Sequence, residues 1–127
     1  EYTEVLNEMN KFVLSNQILK SGTSIGANVK EAQNAESKTD FIHKFKIAAK
    51  EADEVEYWLL LAQHSKHYPE TTSLLNQLSE IQKIINKIIS TSKKIILKLF
   101  FHFYFYINKS QLPHRSVATT LATLLIS

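Results

Sequence analysis

The chain has no cysteine and only two glycines and two prolines among its 127 residues. Average usage would place about nine glycines and six prolines in a chain of this length. Sandwiches and barrels need a turn every ~10 residues, and glycine and proline supply many of the backbone angles of tight turns. The two scarcities exclude these β folds and predict an all-α protein.

The missing cysteine has chemical consequences of its own. It excludes disulfides, iron–sulfur clusters and cysteine-ligated zinc sites. Because a chain without cysteine suits a reducing compartment, we expect a cytoplasmic protein.

Acidic residues are nearly absent from the second half of the chain. Residues 1–70 carry 8 lysines and 11 acidic residues, whereas residues 71–127 carry 7 basic residues and a single acid, Glu80. The formal net charge of +3 therefore conceals a strongly basic C-terminal half. Such an imbalance attracts polyanions.

Four helices are predicted from the apolar periodicity. Residues 1–9 are expected to be the end of a first helix that is truncated, and residues 11–35 form the second. Ser37 to Asp40 resembles a capping box and predicts the start of the third helix, which runs to about Ser65. The third helix carries an a/d stripe at 4-3 spacing: Phe41, Phe45, Ala48, Ala52, Val55, Leu59 and Ala62.

The fourth helix, predicted from Glu70 to about Lys98 with Pro69 at its start, has two unlike faces. Seven isoleucines between Ile81 and Ile96 fall on one side, and lysines fall on the other. The lysines that we predict to contact phosphate are Lys83, Lys87, Lys94 and Lys98. The alternative is that these lysines only keep the surface soluble.

The segment after residue 98 differs in composition, and we predict a domain boundary there. Residues 1–98 form the bundle, and residues 99–127 form an atypical extension, rich in aromatic residues between Leu99 and Ile107. The apolar run is shorter than the ~20 residues that span a membrane, so we expect no membrane partner. The run could extend the fourth helix, contact a neighbouring subunit or form an unstructured tail. Its composition would also suit translation past a lost stop codon.

Candidate catalytic and metal-binding patterns are weak. Asp40-x-x-His43 and His64-x-x-His67 are isolated pairs rather than the matched carboxylates of a binuclear centre. A glycine-rich phosphate loop and a nucleophile elbow are both missing. We therefore expect no enzyme, no catalytic residue, no cofactor and no metal.

Both glycines lie in the predicted second helix, four residues apart. Each costs about 1 kcal/mol relative to alanine inside a helix, so a compensating role is expected. Gly22-x-x-x-Gly26 predicts close helix packing, inside the bundle or between subunits, with a kink as the rival interpretation. The predicted helix-packing motif comprises Ser21, Gly22, Gly26, Ala27 and Asn28.

Five strings resemble a family of bacterial four-helix-bundle proteins encoded by 23S ribosomal RNA intervening sequences. They occur in this order: Ser21 to Asn28 (SGTSIGAN), Glu31-Ala32, Ser37 to Lys44 (SKTDFIHK), Lys50 to Ala52 (KEA) and Tyr57 to Leu59 (YWL). The resemblance covers about residues 11–96. That family is also similar to the accessory variability determinant of diversity-generating retroelements.

The resemblance implies an up-and-down antiparallel four-helix bundle that assembles as a ring-like homopentamer. It also implies binding to RNA, DNA or ribonucleoprotein, with a reverse transcriptase or a ribosomal component as partner. The resemblance implies no catalytic residues. The alternative function is a protein–protein interaction scaffold that does not bind nucleic acid.

Overall fold

The computed structural model describes residues 1–111, which form four α-helices and, within that range, no strand. The helices are α1 (Tyr2–Glu8), α2 (Phe12–Ala32), α3 (Lys38–Gln63) and α4 (Thr72–Gln111). The prediction of an all-α protein with four helices is confirmed. Predictions that concern residues 112–127 lie outside the described residues.

A side-chain cap sets the start of α3. The Asp40 N–H donates to the Ser37 hydroxyl at 3.0 Å, as a capping box requires. The Asp40 carboxylate accepts from the Glu36 N–H at 3.4 Å, one residue before the expected partner. The predicted helix start is therefore confirmed, although the second hydrogen bond of the box comes from Glu36 rather than from Ser37.

The stripe predicted on α3 forms the centre of the core. Six of its seven members are buried, while Phe41 at the helix start is only partly covered and Ile42 beside it is buried instead. The core includes two clusters. One contains Leu6, Leu14, Ile18, Ala52, Val55, Leu59, Ala62 and Leu78, and the other contains Ala32, Phe45, Ala48 and Ile85. Helices α1 to α4 all contribute.

α1 is short and packs across the beginning of α2. A turn at Asn10, whose φ is +60°, reverses the chain, and the Lys11 N–H donates to the Leu6 carbonyl at 2.7 Å. The Ser15 hydroxyl donates to the Thr3 carbonyl at 2.9 Å. Leu6 is fully buried in the cluster that it shares with Leu78 of α4. The seven residues of α1 thus fill one end of the bundle.

The start of α4 differs from the prediction. Pro69 lies three residues before Thr72, the first helical residue, rather than at the helix start. The Glu70 carboxylate accepts from the Thr72 N–H at 2.7 Å, and the Thr71 carbonyl accepts the first helical hydrogen bond from Leu75. The first exposed N–H group of α4 is therefore satisfied by the Glu70 carboxylate rather than avoided by a proline at that position.

The chain divides into two compact units, and the second begins at Lys93. The domain boundary at residue 98 stays a prediction. In the second unit, α4 continues past Lys98 to Gln111, so the aromatic run extends the fourth helix. Phe100 and Tyr104 stack with ring centroids 6.4 Å apart, and both are exposed. No described helix is long and apolar enough to cross a membrane.

Candidate functional site

Two of the predicted lysines lie on the outer face of α4 in the first unit. Lys83 and Lys87 are one helical turn apart and both are exposed. They border a shallow, open depression together with polar side chains that can donate or accept hydrogen bonds. The lining residues are Ser79, Gln82, Lys83, Asn86, Lys87 and Ser90.

Acidic side chains moderate the charge of this surface. The Lys83 ammonium lies 2.7 Å from a Glu80 carboxylate oxygen, but an ion pair this exposed contributes little energy. Among the described residues, Lys87 has no carboxylate within ion-pair distance. Because Glu80 already pairs with Lys83, a phosphate group must compete with the Glu80 carboxylate for the Lys83 ammonium.

Two carboxylates of α3 also lie beside this surface. The Gln82 amide donates to the Asp53 carboxylate at 3.2 Å and to the Glu56 carboxylate at 2.9 Å. These bonds fix one edge of the depression to α3. Sequence reasoning missed this edge, because only the folded chain brings residues 53 and 82 together.

The other two predicted lysines lie in the second unit. Lys94 and Lys98 are exposed and one turn apart on α4, and Lys93 beside them is also exposed. The sequence between Lys93 and Gln111 contains no acidic residue. The four predicted lysines thus form two pairs, each with the same spacing along the helix, and the pairs belong to different units.

The predicted helix-packing motif lies on α2, and its residues differ in burial. α2 runs unbroken through Gly22 and Gly26, and a Cβ built on either glycine meets nothing within 4 Å. Ser21 is fully buried and its hydroxyl donates to the Gln17 carbonyl at 2.7 Å. Ala27 is exposed, and the Asn28 amide donates to the Ser24 carbonyl at 2.9 Å. Close packing of this motif, inside the bundle or between subunits, therefore stays a prediction.

One ion pair ties α2 to α3 close to this motif. The Lys44 ammonium donates to the Glu31 carboxylate at 2.6 Å. This hydrogen bond, together with the charge of Glu31, raises the pKa of Lys44. Both residues belong to the strings that carry the family resemblance, and their contact has a structural role.

The histidines and acids form no metal site in the part of the chain that the structure describes. No group of three or more potential ligands comes together there. The pairs Asp40–His43 and His64–His67 therefore stay isolated within residues 1–111.

Comparison with known proteins finds a family match and a similar solved structure. The model of the family described as 23S rRNA-intervening sequence protein matches residues 1–87. A solved structure from Bacteroides thetaiotaomicron VPI-5482, described as a protein of unknown function from the S23 ribosomal protein family, is 48% identical with a TM-score of 0.64. The match covers 69% of this chain and 83% of that chain. No curated protein matches. Lys83 and Lys87 fall inside the family match, whereas Lys94 and Lys98 fall outside it.

Proposed function

Because the chain belongs to the 23S rRNA-intervening sequence protein family, we propose that it is a non-enzymatic helical-bundle protein that binds nucleic acid through α4. The binding surface comprises Lys83 and Lys87 in the first unit, with Lys94 and Lys98 as a second pair. The partner is RNA, DNA or a ribonucleoprotein, and the interaction is electrostatic.

The charge distribution along α4 carries this proposal. Five exposed lysines lie between Lys83 and Lys98, and Glu80 is the last acidic residue of the chain. A surface that only maintains solubility usually mixes both signs of charge. Ammonium groups one turn apart can each neutralise a phosphate and release its counterion, whatever the base sequence.

Polar neighbours suit the surface for a phosphodiester backbone rather than for one isolated anion. Asn86 and Ser90 lie beside Lys87 in the depression. The Asn86 amide can donate hydrogen bonds to phosphate oxygens or to sugar hydroxyls, while the Ser90 hydroxyl donates to the Lys87 carbonyl at 2.9 Å and can accept from a sugar hydroxyl. The depression is open along the helix, so a nucleic-acid strand can follow the helix axis.

A charge-reversal experiment tests the proposal. Labelled RNA and duplex DNA are titrated at about 50 mM salt with the wild-type chain and with the double variant Lys83→Glu and Lys87→Glu. The affinity is expected to fall at least ~10-fold, because two contacts are lost and two repulsions are added. The matched control is Lys46→Glu with Lys50→Glu, an exposed lysine pair of the same spacing on α3, which is expected to change affinity less than ~3-fold. Absence of binding by the wild-type chain, or equal losses in both variants, contradicts the proposal.

We further propose that the protein assembles as a homo-oligomer, a pentamer by the family resemblance, in the cytoplasm, with a ribosomal component or a reverse transcriptase as its partner. A ring would repeat the lysine surface and so raise the avidity for a long polyanion. Light scattering tests the assembly directly, since a monomeric mass would contradict the proposed oligomer.

A protein–protein interaction scaffold is the second candidate. Tyr57, Leu60 and Leu61 lie exposed on α3, and side chains of this kind are typical of contact surfaces. A scaffold would leave the charge-reversal variant indistinguishable from the wild type, because neither would bind nucleic acid.

A further inference from the structure

The second unit of the chain, which begins at Lys93, presents aromatic side chains to solvent. Phe101 and Phe105 are 36% and 48% exposed, and Phe100 and Tyr104 beside them are exposed as well. Single exposed apolar residues are ordinary on a protein surface, whereas a cluster of them marks a contact surface. The chemistry of the neighbouring side chains indicates what such a surface contacts.

Two lysines lie on the same side of α4 as two of these rings. Lys94, Lys98, Phe101 and Phe105 follow a 4-3-4 spacing, which at 100° per residue keeps them within about 60° of arc. Both lysines are exposed. The four side chains therefore form one stripe along about 16 Å of helix axis, which we call the lysine–phenylalanine stripe.

The positive charge of this stripe is not neutralised within its own segment. Glu80 is the last acidic residue of the sequence, and Lys93 adds a further exposed cation beside Lys94. Within the residues that the structure describes, Lys94 and Lys98 take part in no ion pair. Unpaired cations in line with exposed rings complement a ligand that carries both negative charges and flat apolar faces.

Resting on the proposed binding of nucleic acid, we propose that the lysine–phenylalanine stripe binds a single strand in preference to a duplex. Each nucleotide carries a phosphate and a base, so a single strand can place phosphates on Lys94 and Lys98 and stack bases on Phe101 and Phe105. In a duplex the base faces are stacked on one another, and a side chain reaches them only if a base is extruded. Stacking accepts every base, so the preference does not depend on sequence.

A neighbouring side of α4 repeats part of this pattern. The rings of Phe100 and Tyr104 are nearly parallel, with 15° between their planes and 6.4 Å between their centroids. Lys93 precedes Phe100 by seven residues, as Lys94 precedes Phe101, but Leu97 takes the place that Lys98 has in the stripe. Because this side has one lysine instead of two, the stronger contact is expected on the lysine–phenylalanine stripe.

An anionic membrane surface is another ligand that lysines and aromatic residues can bind. A helix that lies on a membrane separates a charged face from an apolar face. On this part of α4 the rings share one side of the helix with the lysines. The arrangement therefore favours a ligand in which charge and flat rings alternate, and binding to lipid vesicles becomes an outcome of the test.

A comparison of a single strand with its own duplex tests the preference. The full chain is titrated into a labelled oligonucleotide of mixed sequence, alone or annealed to its complement, and fluorescence anisotropy reports binding at about 50 and 200 mM salt. The wild type is expected to bind the single strand at least ~10-fold more tightly at the higher salt concentration, because salt weakens the lysine contacts more than base stacking.

Three double variants assign this preference to the rings. Phe101→Leu with Phe105→Leu keeps apolar side chains but removes both aromatic faces, so single-strand affinity should fall at least ~10-fold and duplex affinity less than ~3-fold. Phe101→Tyr with Phe105→Tyr keeps the aromatic faces and should keep the wild-type preference. Leu97→Ala with Leu99→Ala is the control, since both leucines are exposed in the same segment, and it should change either affinity less than ~3-fold.

Three results would overturn the inference and leave the proposed function standing. The first is equal affinity for the single strand and the duplex, or a preference that the leucine variant retains. The second is tighter binding to vesicles of phosphatidylserine and phosphatidylcholine than to the single strand. The third is an oligomer of the chain that the leucine variant dissociates, which would assign the rings to a contact between copies. Absence of binding to both oligonucleotides at about 50 mM salt would instead contradict the proposed function itself.

Discussion

α3 and α4 carry apolar stripes of similar regularity, but their burial differs sharply. On α3, Ala48 and Ala52 are fully buried and Leu59 nearly so, whereas Ile85 is the only α4 isoleucine of the predicted face that is buried. α3 has helices on both sides of its stripe. One flank of α4 meets α3 through Gln82, while Ile81 and Ile84 on another flank are exposed. Periodicity therefore predicts which side of a helix is apolar, and the neighbouring helices decide how much of it is buried.

The largest expected effect lies in the α3 stripe. Leu59→Ala should lower the free energy of unfolding by about 3 kcal/mol, because it opens a cavity at a site where only 2% of the side chain is exposed. Urea denaturation measures the loss. Leu61→Ala, at an exposed position two residues along the same helix, should cost less than about 1 kcal/mol. Similar losses at both positions would contradict the assigned burial of α3.

A matched pair of substitutions on α4 tests the same difference between buried and exposed side chains within one helix. Ile85→Ala removes a side chain that is 3% exposed and should cost about 3 kcal/mol. Ile84→Ala removes the same side chain from a position that is 59% exposed and should cost less than about 1 kcal/mol. Equal midpoints in urea for the two variants would mean that the flank of α4 is already covered.

The fold was largely predictable because its signals are local. The capping hydrogen bond at Ser37 and the stripe from Phe45 to Ala62 follow from spacing alone, and the structure confirms both. Pro69 misled the prediction for α4, since Glu70 satisfies the helix start instead. The sequence does not define where α4 ends, because Leu99 to Ile107 is almost entirely apolar and such a segment shows no clear helical periodicity.

A smaller effect, of opposite sign, is expected at Gly26 of α2. Gly26→Ala should raise the free energy of unfolding by about 0.5–1 kcal/mol, because alanine favours the helix and its Cβ meets no atom within 4 Å. The same thermal or urea assay detects the gain. A loss of stability would show that another part of the assembled protein already packs against Gly26.

The smallest effect concerns pH and the start of α4. Hydrogen bonds from the Thr72 hydroxyl and then the Thr72 N–H hold the pKa of Glu70 below its ordinary value of 4.5. A carboxyl with a lowered folded pKa stabilises the protein above its unfolded pKa, and this stabilisation disappears as pH falls through the folded pKa. The urea midpoint of the wild type should exceed that of Glu70→Gln at pH 7, and the gap should shrink below about pH 4.5. A gap that does not change with pH would contradict this assignment.

The candidate site was predictable in part. The lysines of α4 could be placed from helical periodicity, and the structure puts all four on the exposed surface. Their acidic neighbours could not, since Asp53 and Glu56 come close to Gln82 only when α3 packs on α4.

The salt dependence of nucleic-acid binding tests the central claim most directly. The dissociation constant for duplex DNA is measured between about 50 and 200 mM salt for the wild-type chain and for the Lys83→Glu, Lys87→Glu variant. If all four lysines contact phosphates, the logarithm of the association constant should fall against the logarithm of salt with a slope of about −3 to −4. Loss of two contacts should reduce the magnitude of that slope by about 2. A slope near zero, or one that the substitutions leave unchanged, would contradict electrostatic binding through α4.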